Sequence, residues 1–154
     1  MELHPEIEHL AFLIGTWRGR GAGSYPTIES FEYLEEATFG HVGKPFLAYT
    51  QRTRHAVTDL PLHAEAGYIR PVGLAAVELI LVQPSGIVEI HQGTVAATSL
   101  DLKSSMVLTT PTAKEATQVD RRISVDGDTL TYEVDMAAVG LPMQHHLAAT
   151  LVRE

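Results

Sequence analysis

From Gly15 to the end of the chain the apolar residues recur at every second position, in short runs rich in Val, Ile, Thr and Tyr that are punctuated by Gly, Pro and Asp. About ten such runs lie near 16–23, 30–39, 46–55, 63–70, 76–82, 86–94, 98–109, 115–125, 128–137 and 144–152. Asp126-Gly127 between two alternating runs is a tight-hairpin signal, and Pro84-Ser85-Gly86 marks another turn. Consecutive hairpins imply an antiparallel meander. No crossover helix is available to cover such a sheet, so it buries one face by closing on itself. The expected fold is all-β: a roughly ten-stranded antiparallel up-and-down barrel, wide enough to enclose a ligand cavity.

Before this span, Pro5 suits a first helical turn, Glu6 and Glu8 favour its positive end, and Ile7, Leu10 and Ile14 follow i, i+3, i+7. One short amphipathic helix over residues 5–13 is expected to plug one end of the barrel. At 154 residues the chain reads as a single domain, 1–154.

Composition excludes several function classes. With 19 acidic residues against 11 basic, the formal charge is −8, and the nearest thing to a basic run is the pair Arg121-Arg122. Nucleic-acid binding is therefore not expected. Cysteine is absent, which removes disulfides, thiolate metal sites and a Cys nucleophile and fits a reducing compartment. The N-terminus has no basic stretch, and the apolar segment from Leu10 to Ile14 is too short to span a bilayer. A cytoplasmic protein without membrane contact is expected. No Gly-x-Ser-x-Gly, phosphate-loop or His-Glu-x-x-His motif is present.

Individual residues read as follows. Arg18 and Arg20 share one face of the first strand; solvated surface is the plain reading, and a pairing with Glu35 or Glu36 the sharper one. His63 and Glu65 also share a face, a spacing that serves acid-base work or a metal but is read by preference as a strand's polar outer side. Of eight histidines, His145 and His146 are adjacent in a strand and must point to opposite faces. With His146 inward, strict alternation places Ala148 and Thr150 on its side, the small Ala148 leaving room for a flat group.

Gly15-Thr16-Trp17-Arg18-Gly19-Arg20-Gly21 gives a GxWxGxG pattern where the helix ends and the first strand begins, with glycines for close backbone approach and an indole to plug the apolar end. Tyr25-Pro26-Thr27-Ile28, Phe31 to Glu36, Gly43 to Gln51, Pro61 to Arg70, Gly86 to Glu89 and Gln144 to Leu151 follow in order. As a set these segments resemble the nitrobindin family, from about Leu10 to the end of the chain. The resemblance implies a ten-stranded barrel holding haem b near one open end, with His146, just before Leu147-Ala148-Ala149-Thr150-Leu151, as the axial iron ligand and catalytic residue. Thr27 and Lys114 resemble positions beside the haem or its propionates, and Leu62, His63 and Met136 positions that line the pocket. Where the family often runs Met-Ala-Thr-Thr-Thr, this chain has Met136-Ala137-Ala138-Val139-Gly140. As in calycin barrels generally, Arg153 is expected to stack on Trp17.

The implied activity is binding of nitric oxide and isomerisation of peroxynitrite to nitrate, with these small molecules as partners and a homodimer through a barrel edge as an open expectation. Two alternatives share the fold. One is a barrel that carries a fatty acid or other apolar molecule, which an inward arginine matched to a carboxylate would favour; the other is a nitric oxide sensor or carrier.

Overall fold

A computed structural model describes residues 1–154. One short helix precedes ten strands: β1 (Gly15–Tyr25), β2 (Ile28–Gly40), β3 (Leu47–His55), β4 (Pro61–Val72), β5 (Ala76–Gln83), β6 (Ile87–Ala96), β7 (Ser99–Thr109), β8 (Ala116–Asp126), β9 (Thr129–Ala138) and β10 (Gln144–Arg153). Each strand pairs antiparallel with its sequence neighbours, and β10 pairs back onto β1, so the sheet closes as expected from the alternating pattern.

The helix, Pro5–Leu13, is of the 3₁₀ type. Its buried residues are Ile7, Leu10 and Leu13, one every third position, as three residues per turn require. Leu13 thus takes the place that α-helical spacing gives to Ile14, which instead caps the helix in extended conformation. His4 starts it, Nδ1 accepting from the Glu6 amide at 3.3 Å. This segment seals one barrel end. Trp17 lies fully buried beneath it and donates Nε1–H to the Leu13 carbonyl at 2.8 Å. Arg153 covers the indole at 4.2 Å and donates to the Phe12 carbonyl at 3.1 Å, which ties the last strand to the plug.

The glycines of the GxWxGxG segment answer to close approach. A Cβ on Gly19 would sit 2.1 Å from the Thr150 carbonyl oxygen, and one on Gly21 would sit 2.2 Å from the Tyr33 ring. The first obstacle is backbone of a paired strand and cannot swing away. Gly19→Ala is expected to lower unfolding free energy by about 3 kcal/mol, while Gly127→Ala keeps the close contacts unchanged and suffers only its left-handed turn geometry. Urea denaturation of the two variants beside the parent checks the order. On the outer wall, Arg18 pairs with Glu36 at 2.6 Å and with Glu154 at 2.6 Å, so the sharper of the two sequence readings holds for it, while Arg20 is exposed.

The opposite end is open. There β7 and β8 separate: only Ser99–Lys103 pair with Asp120–Ser124, and beyond that point the Val119 amide donates to Ser104 Oγ at 2.9 Å in place of a ladder bond. No helix is long and apolar enough to cross a membrane.

Candidate functional site

Between the plugged core and the open end lies a cavity of about 600 Å³ lined by all ten strands' mouth segments but β7, with contributions from the turns. Its volume falls within the range of about 300–1,000 Å³ usual for cofactor and small-molecule sites. Every residue singled out from the sequence lines it: Thr27, Leu62, His63, Lys114, Met136 and His146. Thr27, Leu62 and Lys114 are exposed at the rim, whereas His63, Met136 and His146 sit deeper. Phe31, Ile87, Val119 and Leu147 supply an apolar wall.

His146 owes its direction to a β-bulge. The β10–β9 register shifts between His145 and Leu147, leaving His146 as the extra residue. Both His146 and Leu147 therefore reach the cavity, and the inward face continues through Ala149 and Leu151, which are buried. Ala148 and Thr150 instead border a groove on the outside of the barrel, contrary to strict alternation. His145 does point outward, its Nδ1 3.6 Å from Asp135 Oδ1.

The imidazole of His146 is oriented by its neighbours. Its Nδ1 lies 3.1 Å from the Ser24 carbonyl oxygen, which can only accept, so Nδ1 carries the hydrogen and the lone pair is left on Nε2. Burial lowers the pKa below the usual histidine range, and the Ser24 bond offsets this in part. Tyr25 packs edge-on against the ring at 5.5 Å between centroids, and its hydroxyl accepts the Ala138 amide at 2.9 Å. A neutral imidazole held through Nδ1 with Nε2 free is the form in which histidine binds a metal.

Beneath the cavity runs a polar network that the sequence reading missed. Glu65 does not face solvent; it is 6% exposed and joins Glu89, at 0%, around Arg121 inside the barrel. Arg121 donates Nη1–H to Glu65 Oε1 at 2.9 Å, Nη2–H to Glu65 Oε2 at 3.1 Å and Glu89 Oε2 at 2.8 Å, and Nε–H to Glu89 Oε1 at 3.0 Å. Tyr49 donates to Glu65 at 2.9 Å, and buried His91 meets Glu89 at 2.8 Å. Burial opposes the charge on Glu65, but Arg121 and the His63 hydrogen bond outweigh it and hold that carboxyl down at about 2. The same balance lowers Glu89. One signal in the sequence does point inward: Val119, Ile123 and Val125 flank Arg121 at every second position, so an arginine shares the apolar face of β8.

Glu35 is a different case. It is buried without a cation of its own, accepts the Tyr132 hydroxyl at 2.5 Å, and burial pushes its carboxyl up to about 7. Its folded pKa lies above the unfolded value of about 4.3, so the folded state holds the extra proton between the two. The contribution is fully favourable below about pH 4.3 and is lost as pH rises through 7, by about 4 kcal/mol. Glu65 works in the opposite sense and only at acid pH, where stability is lost as pH falls through the window between about 4.3 and 2. Glu35→Gln is therefore expected to flatten the fall in urea midpoint between about pH 5 and pH 8.

Comparison with known proteins agrees with this geometry. The family model for the THAP4-like, heme-binding beta-barrel domain matches residues 6–153. A protein of Mycobacterium ulcerans named Peroxynitrite isomerase 2 is 54% identical over 99% of this chain and 98% of its own length. Peroxynitrite isomerase 1 of Mycolicibacterium paratuberculosis is 52% identical over the same shares. The crystal structure of Rv2717c from M. tuberculosis superposes with a TM-score of 0.93 at 51% identity, covering 99% of each chain. A phycobiliprotein lyase of Guillardia theta, at 10% identity and a TM-score of 0.66, shares the fold alone. The barrel with its bulge-directed histidine and the full-length match together make this chain a member of the THAP4-like heme-binding β-barrel family, the nitrobindins.

Proposed function

We propose that this protein binds haem b in the open-end cavity through His146 and isomerises peroxynitrite to nitrate there. The observation that carries the proposal is the hydrogen bond of His146 Nδ1 to Ser24, which leaves a neutral imidazole with Nε2 available in a cavity of about 600 Å³. The lining suits a flat apolar group with an anionic edge: the apolar wall of Phe31, Ile87, Val119 and Leu147 above the charged floor, and at the rim Lys114 and Thr27, whose ammonium and hydroxyl would hold propionates. Met136 within the cavity and Leu62 at its rim add apolar lining, and His63 supplies a polar group.

Haem held through His146 would supply an iron centre able to turn peroxynitrite into nitrate. The chain's own share is structural and electrostatic. His146 sets the electron density delivered through Nε2, and the Ser24 carbonyl raises it by accepting from Nδ1. The Phe31, Ile87, Val119 and Leu147 wall would give the bound group an apolar surround on that side. Nitric oxide needs no hydrogen-bond donor, and the same apolar wall accommodates it.

Transport of a fatty acid is the weaker reading for a specific reason. An inward arginine exists, but Arg121 spends both paired N–H edges on Glu65 and Glu89 and keeps a single Nη1–H, so it offers a ligand carboxylate no bidentate edge. Peroxynitrite decay, followed by stopped flow with hemin-loaded and hemin-free protein, is expected to accelerate only with the loaded form and to yield nitrate in place of nitrite. Binding of nitric oxide without any acceleration of decay would assign the site to carriage or sensing.

A further inference from the structure

His63 and His146 face one cavity from nearly opposite walls, because β4 is four strands from β10 one way round the closed barrel and six the other. The His63 side chain is 34% exposed, and its Nε2 lies 3.3 Å from Glu65 Oε2. Glu65 is locked as a carboxylate by two guanidinium hydrogens of Arg121 and the Tyr49 hydroxyl, and a carboxylate only accepts. Nε2 of His63 therefore carries the hydrogen, and the neutral ring keeps a lone pair on Nδ1, which makes no bond within the protein.

The charged and titratable groups facing His63 at the cavity floor are Glu65 on its own strand, Tyr49 on β3, Tyr33 and Glu35 on β2, Arg121 on β8 with Glu89 of β6 behind it, and His146 on β10. Tyr25, Lys114 and Glu115 line the same cavity, and Arg18, Glu36, Arg52 and Arg54 border the groove on its other side. Two carboxylates, Glu65 and Glu89, thus share one guanidinium. A bare anion meets a floor with surplus negative charge, while a neutral acid does not. The carboxylates and the guanidinium satisfy one another, and the network leaves imidazole nitrogens free at two ends, Nδ1 of His91 sealed in the interior and Nδ1 of half-exposed His63.

We infer that His63 is the proton acceptor of this cavity, positioned by Glu65 and, through it, by Arg121. A small weak acid HX enters as the neutral molecule. Its proton passes to His63 Nδ1, the bonding pair stays on X⁻, and Glu65 stabilises the imidazolium that forms. The ligand class is small weak acids, to which peroxynitrous acid belongs and nitric oxide does not. This inference rests on the haem reading, since the haem iron would have to hold X⁻.

Hemin-loaded parent and His63→Leu proteins are mixed with cyanide, supplied near neutral pH as hydrogen cyanide, and separately with nitric oxide, while the Soret band is followed by stopped flow. Cyanide association is expected to slow by about 100-fold in the variant while nitric oxide association stays within about twofold. An unchanged cyanide rate overturns the inference, as does equal slowing of both ligands, which would make His63 a matter of shape. A second arm needs neither haem nor a variant: imidazole nitrogen NMR of the hemin-free parent is expected to show hydrogen on Nε2 and none on Nδ1 in neutral His63. The opposite tautomer overturns the proton-acceptor role. Failure of the parent to bind hemin counts against the haem reading alone, and the tautomer then decides the inference.

Discussion

His146→Ala is expected to weaken hemin binding by at least about 100-fold and to remove the Soret band that the parent chain develops at one haem per chain. The size of the effect follows from what the residue does. It offers the one imidazole whose Nδ1 is committed to a backbone carbonyl on the neighbouring strand, so its Nε2 is fixed in direction and kept unprotonated. His63 has its Nε2 drawn to Glu65, and its remaining nitrogen starts from the opposite wall, so it does not replace the lost ligand. The hemin-free variant is expected to stay folded, losing about 1 kcal/mol with the Ser24 hydrogen bond. Titration with hemin, and urea denaturation of the hemin-free proteins, separate the two effects. A variant that keeps the parent spectrum would remove His146 from the site.

The second large effect concerns stability. Arg121→Met is expected to lower unfolding free energy by about 3–5 kcal/mol, because Glu65 and Glu89 are then left as buried carboxylates without a counterion. The penalty is one of uncompensated charge, and two results follow from that. Without the guanidinium both carboxyls shift above the unfolded value, so the loss grows as pH rises through the shifted range and shrinks at acid pH. Adding Glu65→Gln and Glu89→Gln to Arg121→Met should recover more than half of the loss, since neutral amides carry no charge to strand. Urea midpoints at about pH 5 and pH 8, with the denaturant slope checked for constancy, test both statements. If the triple variant is no better than Arg121→Met, the lost packing of the arginine stem is the cause.

Placed beside one another, the two variants describe a barrel in three zones along its axis. The plugged end, from Ile7 and Leu13 through Trp17 to Arg153, is apolar and sealed. The middle is the Glu65–Arg121–Glu89 network, which forms a charged floor. The open end carries the cavity with His146. His146 bonds only to the Ser24 carbonyl and to neither of the first two zones, which is why it can be removed at small cost to folding.

Alternation in the sequence determined that this chain is a closed antiparallel barrel, since strands with one apolar face and no helices to cover it have nowhere else to bury that face. Three-residue and four-residue spacing of apolar side chains determined the plug, likeness to known barrels supplied the Trp17–Arg153 stack and the set of residues around the cavity, and the Arg18–Glu36 pair was one of the alternatives that the face of β1 left open. Tertiary structure decided the rest. The bulge at His145–Leu147 shifts the face of β10 by one residue, and a bulge has no signature in alternating hydrophobicity because it depends on pairing with β9. Glu65 looked like a solvent-facing carboxylate because its partners, Arg121 and Tyr49, lie on other strands, 56 and 16 residues away. A charged side chain is read as exposed until something neutralises it, and only the closing of the barrel brings β4, β6 and β8 near enough for one guanidinium to do so for two carboxylates.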